Sequence, residues 1–319
     1  MTKTCQTIAL IYLCFVTSHV ANAIELQFPV ACQIMGNCWI TNHVDLKLTS
    51  PIIEDYACGQ KSSQSSKSTH ISLGSLSAMA QNTPVIAAAS GVIESAKNQG
   101  GFCGTRVSII HDGGWKTSYC HLNPENLFVK TGQEVRTGQI IGTVGMSGQT
   151  DWPRLSFTLM RNGMIFDPFG GGTNIEGCPA KPKSLWTGEK NPPYAPAQIT
   201  SIGFTVGYPD NIQILNGMDS ATIISSETPQ IAMWALLMTL QKNDKISIKI
   251  YNPEGRTISE EDFVVNQNHD RYPLFISKRR GNLLWNLGRY VGEINIMRDV
   301  NGNEITIGKQ VSFKMIKTE

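Results

Sequence analysis

Residues 129–149 read VKTGQEVRTGQIIGTVGMSGQ, and the fold class turns on this stretch. Glycines at 132, 138, 142, 145 and 148 cut it into β segments of a few residues each, too short for anything but a tightly turning sheet. No helical periodicity longer than two turns accompanies it, and only Leu76 to Gln81 suggests one short turn. The expected architecture is mainly β, a compact barrel- or sandwich-like core.

The flanking sequence has the same character. TPVIAAASGVIESA (83–96) and TRVSIIHDGGWKTSYCHL (105–122) are β-type runs, and Asp112-Gly113-Gly114 supplies a hairpin turn inside the second. QKSSQSSKST (60–69) is polar and reads as an exposed loop. PAKPKSLWTGEKNPPYAPAQ (179–198) is proline-rich and reads as a linker or a rigid crossing strand. Beyond it, ITSIGFTVG, IAMWALLMTL, KISIKIYNPEG, YVGEINIMRD and KQVSFKMI alternate with turn residues, including Asn301-Gly302. That spacing predicts an immunoglobulin-like β-sandwich over 199–319. IAMWALLMTL fits a buried helix equally well by periodicity alone. The expected division is 1–23, a leading segment 24–54, a first domain 55–178, the linker 179–198 and the sandwich 199–319.

The chain has 319 residues, 41% hydrophobic and 16% charged, with a formal net charge of +2. These values fit a folded two-domain protein and exclude a nucleic-acid footprint. Residues 1–23 read as a secretory signal: Lys3, a short apolar run from Ile8 to Val16, and Ala21-Asn22-Ala23 as a cleavage site. The apolar run is too short to cross a bilayer, which needs about 20 residues, so no transmembrane segment is expected in the mature chain. Cys5 and Cys14 would leave with the signal. Cys32, Cys38, Cys58, Cys103, Cys120 and Cys178 would enter a periplasmic or extracellular, oxidising compartment. Three disulfides are expected; local spacing favours Cys32–Cys38, and the other partners stay open.

Six pieces occur in order: DYACG (55–59), TPVIAAASGVI (83–93), SYCHL (118–122), GQIIGTVGMSG (138–148), PRLSF (153–157) and DPF (167–169). In this order they resemble the lysostaphin/LytM-type zinc metallopeptidases, which cut peptide crosslinks in bacterial cell walls. The resemblance implies a His-x-x-x-Asp motif and the second histidine of a late His-x-His as zinc ligands. It also implies that the first histidine of that pair and the one in Tyr-x-His-Leu handle water and the oxyanion.

Counting inward places His-x-x-x-Asp on Ser66 to His70 and the late pair on Arg154-Leu155-Ser156, with only His121 retained as a vestigial catalytic residue. A shifted register makes His70 the first ligand and puts Gly74 where the carboxylate belongs. Either way the zinc chemistry fails, because serine hydroxyls are poor zinc donors. A guanidinium about 5 Å from a dication also costs on the order of several kcal/mol at an effective dielectric near 20. His70 and His121, with Asp151, could clamp a metal only weakly, so no cofactor is expected. His111 reads as a turn or strand-end residue.

The expected function is therefore that of an exported pseudopeptidase binding peptidoglycan fragments or a cell-wall hydrolase, with Arg154 pairing a ligand carboxylate. The rivals are an active metalloendopeptidase with an altered site and a structural or adhesive secreted protein.

Overall fold

The computed structural model describes residues 24–47, 49–173, 178–179, 181–187, 192–300 and 302–317. The expected signal at 1–23, much of the 174–191 stretch and Asn301 of the Asn-Gly turn lie outside the described residues. No described helix is long and apolar enough to cross a membrane.

Ten strands form the first sheet. They are β1 Cys38–Asn42, β2 Thr69–Leu73, β3 Pro84–Ile86, β4 Gly91–Asn98, β5 Thr105–Ile110, β6 Trp115–Leu127, β7 Glu134–Val135, β8 Ile140–Val144, β9 Arg154–Arg161 and β10 Met164–Phe166. The main order is β1-β2-β9-β6-β5-β4-β7; β10 pairs with β9, and β8 joins β3 to β6. The glycine-rich stretch supplies β7 and β8, and Gly132, Gly138 and Gly148 adopt left-handed φ values of 85°, 82° and 77°. Such turns suit glycine because it carries no Cβ. Asp112–Gly114 forms the turn between β5 and β6, and Ser77–Gln81 a single 3₁₀ turn. Alternate residues of the central strands bury Val107, Ile109, Tyr119, Leu155, Phe157 and Ile71 in one core. Residues 24–54 belong to that core through Leu26, Val30 and β1, which pairs with β2.

The C-terminal part comprises β11 Gln198–Val206, α1 Asn211–Asn216, β12 Ile223–Ser225, β13 Gln230–Leu240, β14 Lys245–Tyr251, β15 Thr257–Val264, β16 His269–Arg279, β17 Gly288–Val300 and β18 Asn303–Ile316. One sheet runs β11-β13-β16 and the other β12-β18-β17-β14-β15. Phe204, Met233 and Leu237 from the first meet Ile248, Ile294 and Phe313 from the second in a shared core, which makes this a sandwich.

β13 carries IAMWALLMTL, and it is a strand. Met233, Ala235 and Leu237 face the sandwich core, whereas Trp234, Leu236 and Met238 pack outward against Trp152 of the first domain and Ile214 of α1. A strand covered on both faces reads as a continuous apolar run, and for that reason periodicity could not separate it from a helix. Trp152 is also tied down inside its own domain, its Nε1 donating to the Leu73 carbonyl at 2.7 Å.

Among the described residues there are three disulfides, Cys32–Cys38, Cys58–Cys178 and Cys103–Cys120. Their loops differ greatly in length, with separations of 6 residues for the first and 120 for the second. In the chain-entropy picture a longer closed loop removes more freedom from the unfolded ensemble. Replacing Cys58 and Cys178 with serine should cost about 5 kcal/mol, against about 2 kcal/mol for the Cys32/Cys38 pair. Urea titration of the two double variants checks the order, and equal losses contradict it.

Candidate functional site

β2 and β9 run antiparallel with His70 opposite Ser156 and Ser72 opposite Arg154. The four side chains therefore share one face of the sheet. The strand also fixes which residues leave it. Ser66 lies outside β2, where its hydroxyl accepts from Asn42 Nδ2 at 2.8 Å and donates to the Ser68 carbonyl. Gly74 follows β2, and a Cβ built on it would stand 2.6 Å from the Trp39 ring. A carboxylate side chain at 74 has no room without moving that indole.

A hydroxyl relay occupies the face between β2 and β9. Ser156 Oγ donates to Ser68 Oγ at 2.9 Å, and Ser68 Oγ lies 3.3 Å from His70 Nε2. Ser68 escaped the sequence reading; its two-residue offset from His70 in a serine-rich loop was the only signal available. The neutral His70 ring meets Ser68 Oγ as donor or acceptor according to its tautomer. Burial first, then the Arg154 guanidinium and His121, push its pKa down to about 3.

His121 approaches from β6. Its φ is +67°, a left-handed conformation unusual for a residue with a Cβ. Its amide donates to the Cys103 carbonyl, next to the Cys103–Cys120 bond, and Nδ1 donates to the Ser147 carbonyl at 2.8 Å. Burial lowers its pKa, the Ser147 carbonyl opposes that, and Arg154 adds to the lowering. His111 stands apart, bridging the Ser90 carbonyl and Thr117 Oγ1.

The second domain forms one wall. A cavity of about 280 Å³ is lined by Lys61, His70 and Arg154 on one side and by Gln241, Asp270 and Arg271 on the other. Arg271 pairs with Asp151 and lies 5.0 Å over the Trp152 ring. Asp151 is thereby engaged elsewhere and not offered to a metal. Arg154 is half-buried, and its Nε has no hydrogen-bond partner among the described residues. Burial lowers its pKa, Asp270 and Asp151 raise it, and Arg271 opposes them.

Lys61 differs from the exposed-loop expectation. It is 4% exposed, with Nζ donating to the Ala195 carbonyl at 2.6 Å, and burial pushes its pKa down to about 7 against the pull of Asp55. Asp55 of DYACG accepts from the Gly59 and Lys61 amides and from the Tyr194 hydroxyl, so that motif folds a turn onto the linker. Asp167 of DPF likewise accepts the Phe169 and Gly170 amides, a structural role.

These residues do not fit zinc. Among the described residues no three His, Cys, Asp or Glu side chains gather as a metal site. His70 Nε2 is engaged by Ser68, the opposite strand offers a hydroxyl, and a guanidinium stands where a second imidazole would have to. What the arrangement can do is hold an anion: Arg154 is a cation lining the cavity, and its Nε has no partner among the described residues.

Residues 70–168 match Peptidase family M23. The chain is 42% identical over 79 residues to Cell division protein DipM of Caulobacter vibrioides, an alignment covering 25% of this chain and 13% of that protein. It is 41% identical over 87 residues to Peptidoglycan DD-endopeptidase ShyC of Vibrio cholerae, covering 27% of this chain and 19% of the other. The alignments thus span less than a fifth of each of these relatives. Among solved structures, a zinc-containing peptidase from Vibrio cholerae aligns over 45% of this chain and 39% of that one, at 22% identity and a TM-score of 0.35.

The neutral His70 carries a pH consequence. An unfolded histidine binds its proton below about pH 6.5, whereas folded His70 resists until about pH 3. The unfolded state therefore holds more protons in that window, and stability falls as pH drops through it. His70→Gln should flatten the decline by up to about 1.4 kcal/mol per pH unit. Urea midpoints measured from pH 7.5 down to 4.5 check this, and parallel curves for the two proteins contradict it.

Proposed function

We propose, from the premise that residues 70–168 form a Peptidase family M23 domain, that this protein is an exported pseudopeptidase whose groove binds peptidoglycan fragments or a cell-wall enzyme without cutting them. The observation that carries the reading is the donor set on β2 and β9. Arg154 and Ser156 face His70 and Ser72, and a hydroxyl relay fills the space between the strands. The family match begins at His70. This supports the register in which His70 keeps the first ligand position and Gly74 stands for the lost carboxylate, over the one that begins at Ser66.

The ligand chemistry follows from Arg154. A guanidinium with an unpaired, buried Nε favours a carboxylate, and wall peptides carry several. Three disulfides support export to an oxidising compartment. The order β11-β13-β16 over β12-β18-β17-β14-β15, with β12 parallel to β18, supports an immunoglobulin-like reading of the second domain.

Two measurements test this. After dialysis against micromolar zinc, the purified disulfide-intact protein should hold less than about a tenth of an equivalent of metal, because too few donors converge. Near one equivalent, with release of soluble wall fragments, would establish an active peptidase instead. Muropeptide affinity should fall roughly tenfold or more in Arg154→Ala, the usual worth of a hydrogen bond to a charged group. Unchanged affinity, lost only when 199–319 is deleted, would move the function to the sandwich.

A further inference from the structure

The loop from 280 to 287, RGNLLWNL, joins β16 to β17 at the end of the sandwich opposite the His269 rim that meets the groove. β16 has eleven residues, so the two ends stand roughly 35 Å apart at the usual rise per strand residue. The loop is held firmly. The Arg280 amide donates to the Pro229 carbonyl at 2.8 Å, Trp285 Nε1 to the Thr228 carbonyl at 2.7 Å, and Asn286 Nδ2 to Glu254 at 3.0 Å. Trp285 turns inward onto Tyr290. The leucines turn outward: Leu283 is 83% exposed, Leu284 53% and Leu287 58%.

Three large leucines presented to water by a pinned loop cost hydration free energy that no contact among the described residues recovers. The surround is basic. Lys278 and Arg279 end β16, and Arg289 begins β17 opposite Lys314 of β18, all exposed. The Glu254 carboxylate beside the loop is already bonded to Asn286. The exposed leucine tip is flanked by strand-end cations, an apolar point within a basic rim whose charge complements an anionic lipid plane.

We propose that this end of the sandwich docks on an anionic lipid surface, with Leu283, Leu284 and Leu287 entering the acyl boundary while Lys278, Arg279 and Arg289 lie among the headgroups. The contact is independent of the groove and leaves Arg154 free.

Vesicle co-sedimentation of the purified chain tests it. The wild type should pellet with vesicles of mixed phosphatidylethanolamine and phosphatidylglycerol at least about tenfold more than with phosphatidylcholine vesicles. Leu283→Asn/Leu284→Asn and, separately, Arg279→Gln/Arg289→Gln should each lower that binding about tenfold, and added salt should weaken the wild type. The leucine side chains are exposed, so the first variant should melt with the wild type, which a thermal scan verifies. No sedimentation of the wild type, equal sedimentation on neutral vesicles, or variants that bind as the wild type does would each overturn the proposal. Because Arg154 is untouched, muropeptide binding stays normal in these variants, and the groove reading is judged separately.

Discussion

Everything about the groove depends on Trp152 meeting β13. The indole stands two residues before Arg154 and packs on Trp234, Leu236 and Met238, so the C-terminal part is fixed beside the start of β9. That contact covers the outer face of β13 and brings Gln241, Asp270 and Arg271 over Arg154. A single hydrophobic junction therefore both joins the domains and closes one side of the cavity. It is reinforced by groups useful only when the domains are together: Arg271 on Asp151 and the Trp152 ring, and Gln198 Nε2 donating to the Ile40 carbonyl.

Within the cavity, Arg154 contributes a fixed positive charge. A guanidinium cannot polarise a bound water as a dication does, but it can hold a carboxylate. The rest of the site is consistent with a resident cation of that kind. His70 stays neutral beside Arg154, and Ser156 Oγ donates a neutral hydrogen bond to Ser68 Oγ. A second fixed charge there would have to be desolvated against Arg154, and none is present on β2 or β9 beside it.

Much of this was legible in the sequence, and the limits have physical causes. The glycine-punctuated stretch from 129 to 149 announced short tight strands, and alternation over 245–251 and 290–297 announced the sandwich. The order of TPV, SYCHL and PRLSF assigned Arg154, Ser156 and His121 to one site; in the structure Ser156 lies opposite His70 and Arg154 opposite Ser72. The placement of the first motif was ambiguous because the serine-rich loop before His70 gives no count to trust. Cysteine spacing favoured Cys32–Cys38 but was silent on the other two bonds, one of which closes across 120 residues. The second-domain wall was invisible for the same reason. Contacts such as Gln241 to Gln60 depend on how two folded faces meet.

His121 and Arg154 are the two residues at this site that invite a functional reading, and the structure treats them differently. The left-handed backbone at His121 is over-determined: its amide is bonded to Cys103, its ring to Ser147, and the next residue back is locked in a disulfide. Removing that imidazole would strand the Ser147 carbonyl and leave a strained backbone without its support, so the fold alone accounts for its presence. Arg154 has no such account. Its Nε is buried without a partner, the neighbouring Asp151 is engaged by Arg271, and its own charge depresses the pKa of His70 and His121. The fold thus accounts for His121 through its own bonds, and leaves Arg154 Nε without a partner among the described residues beside a cavity.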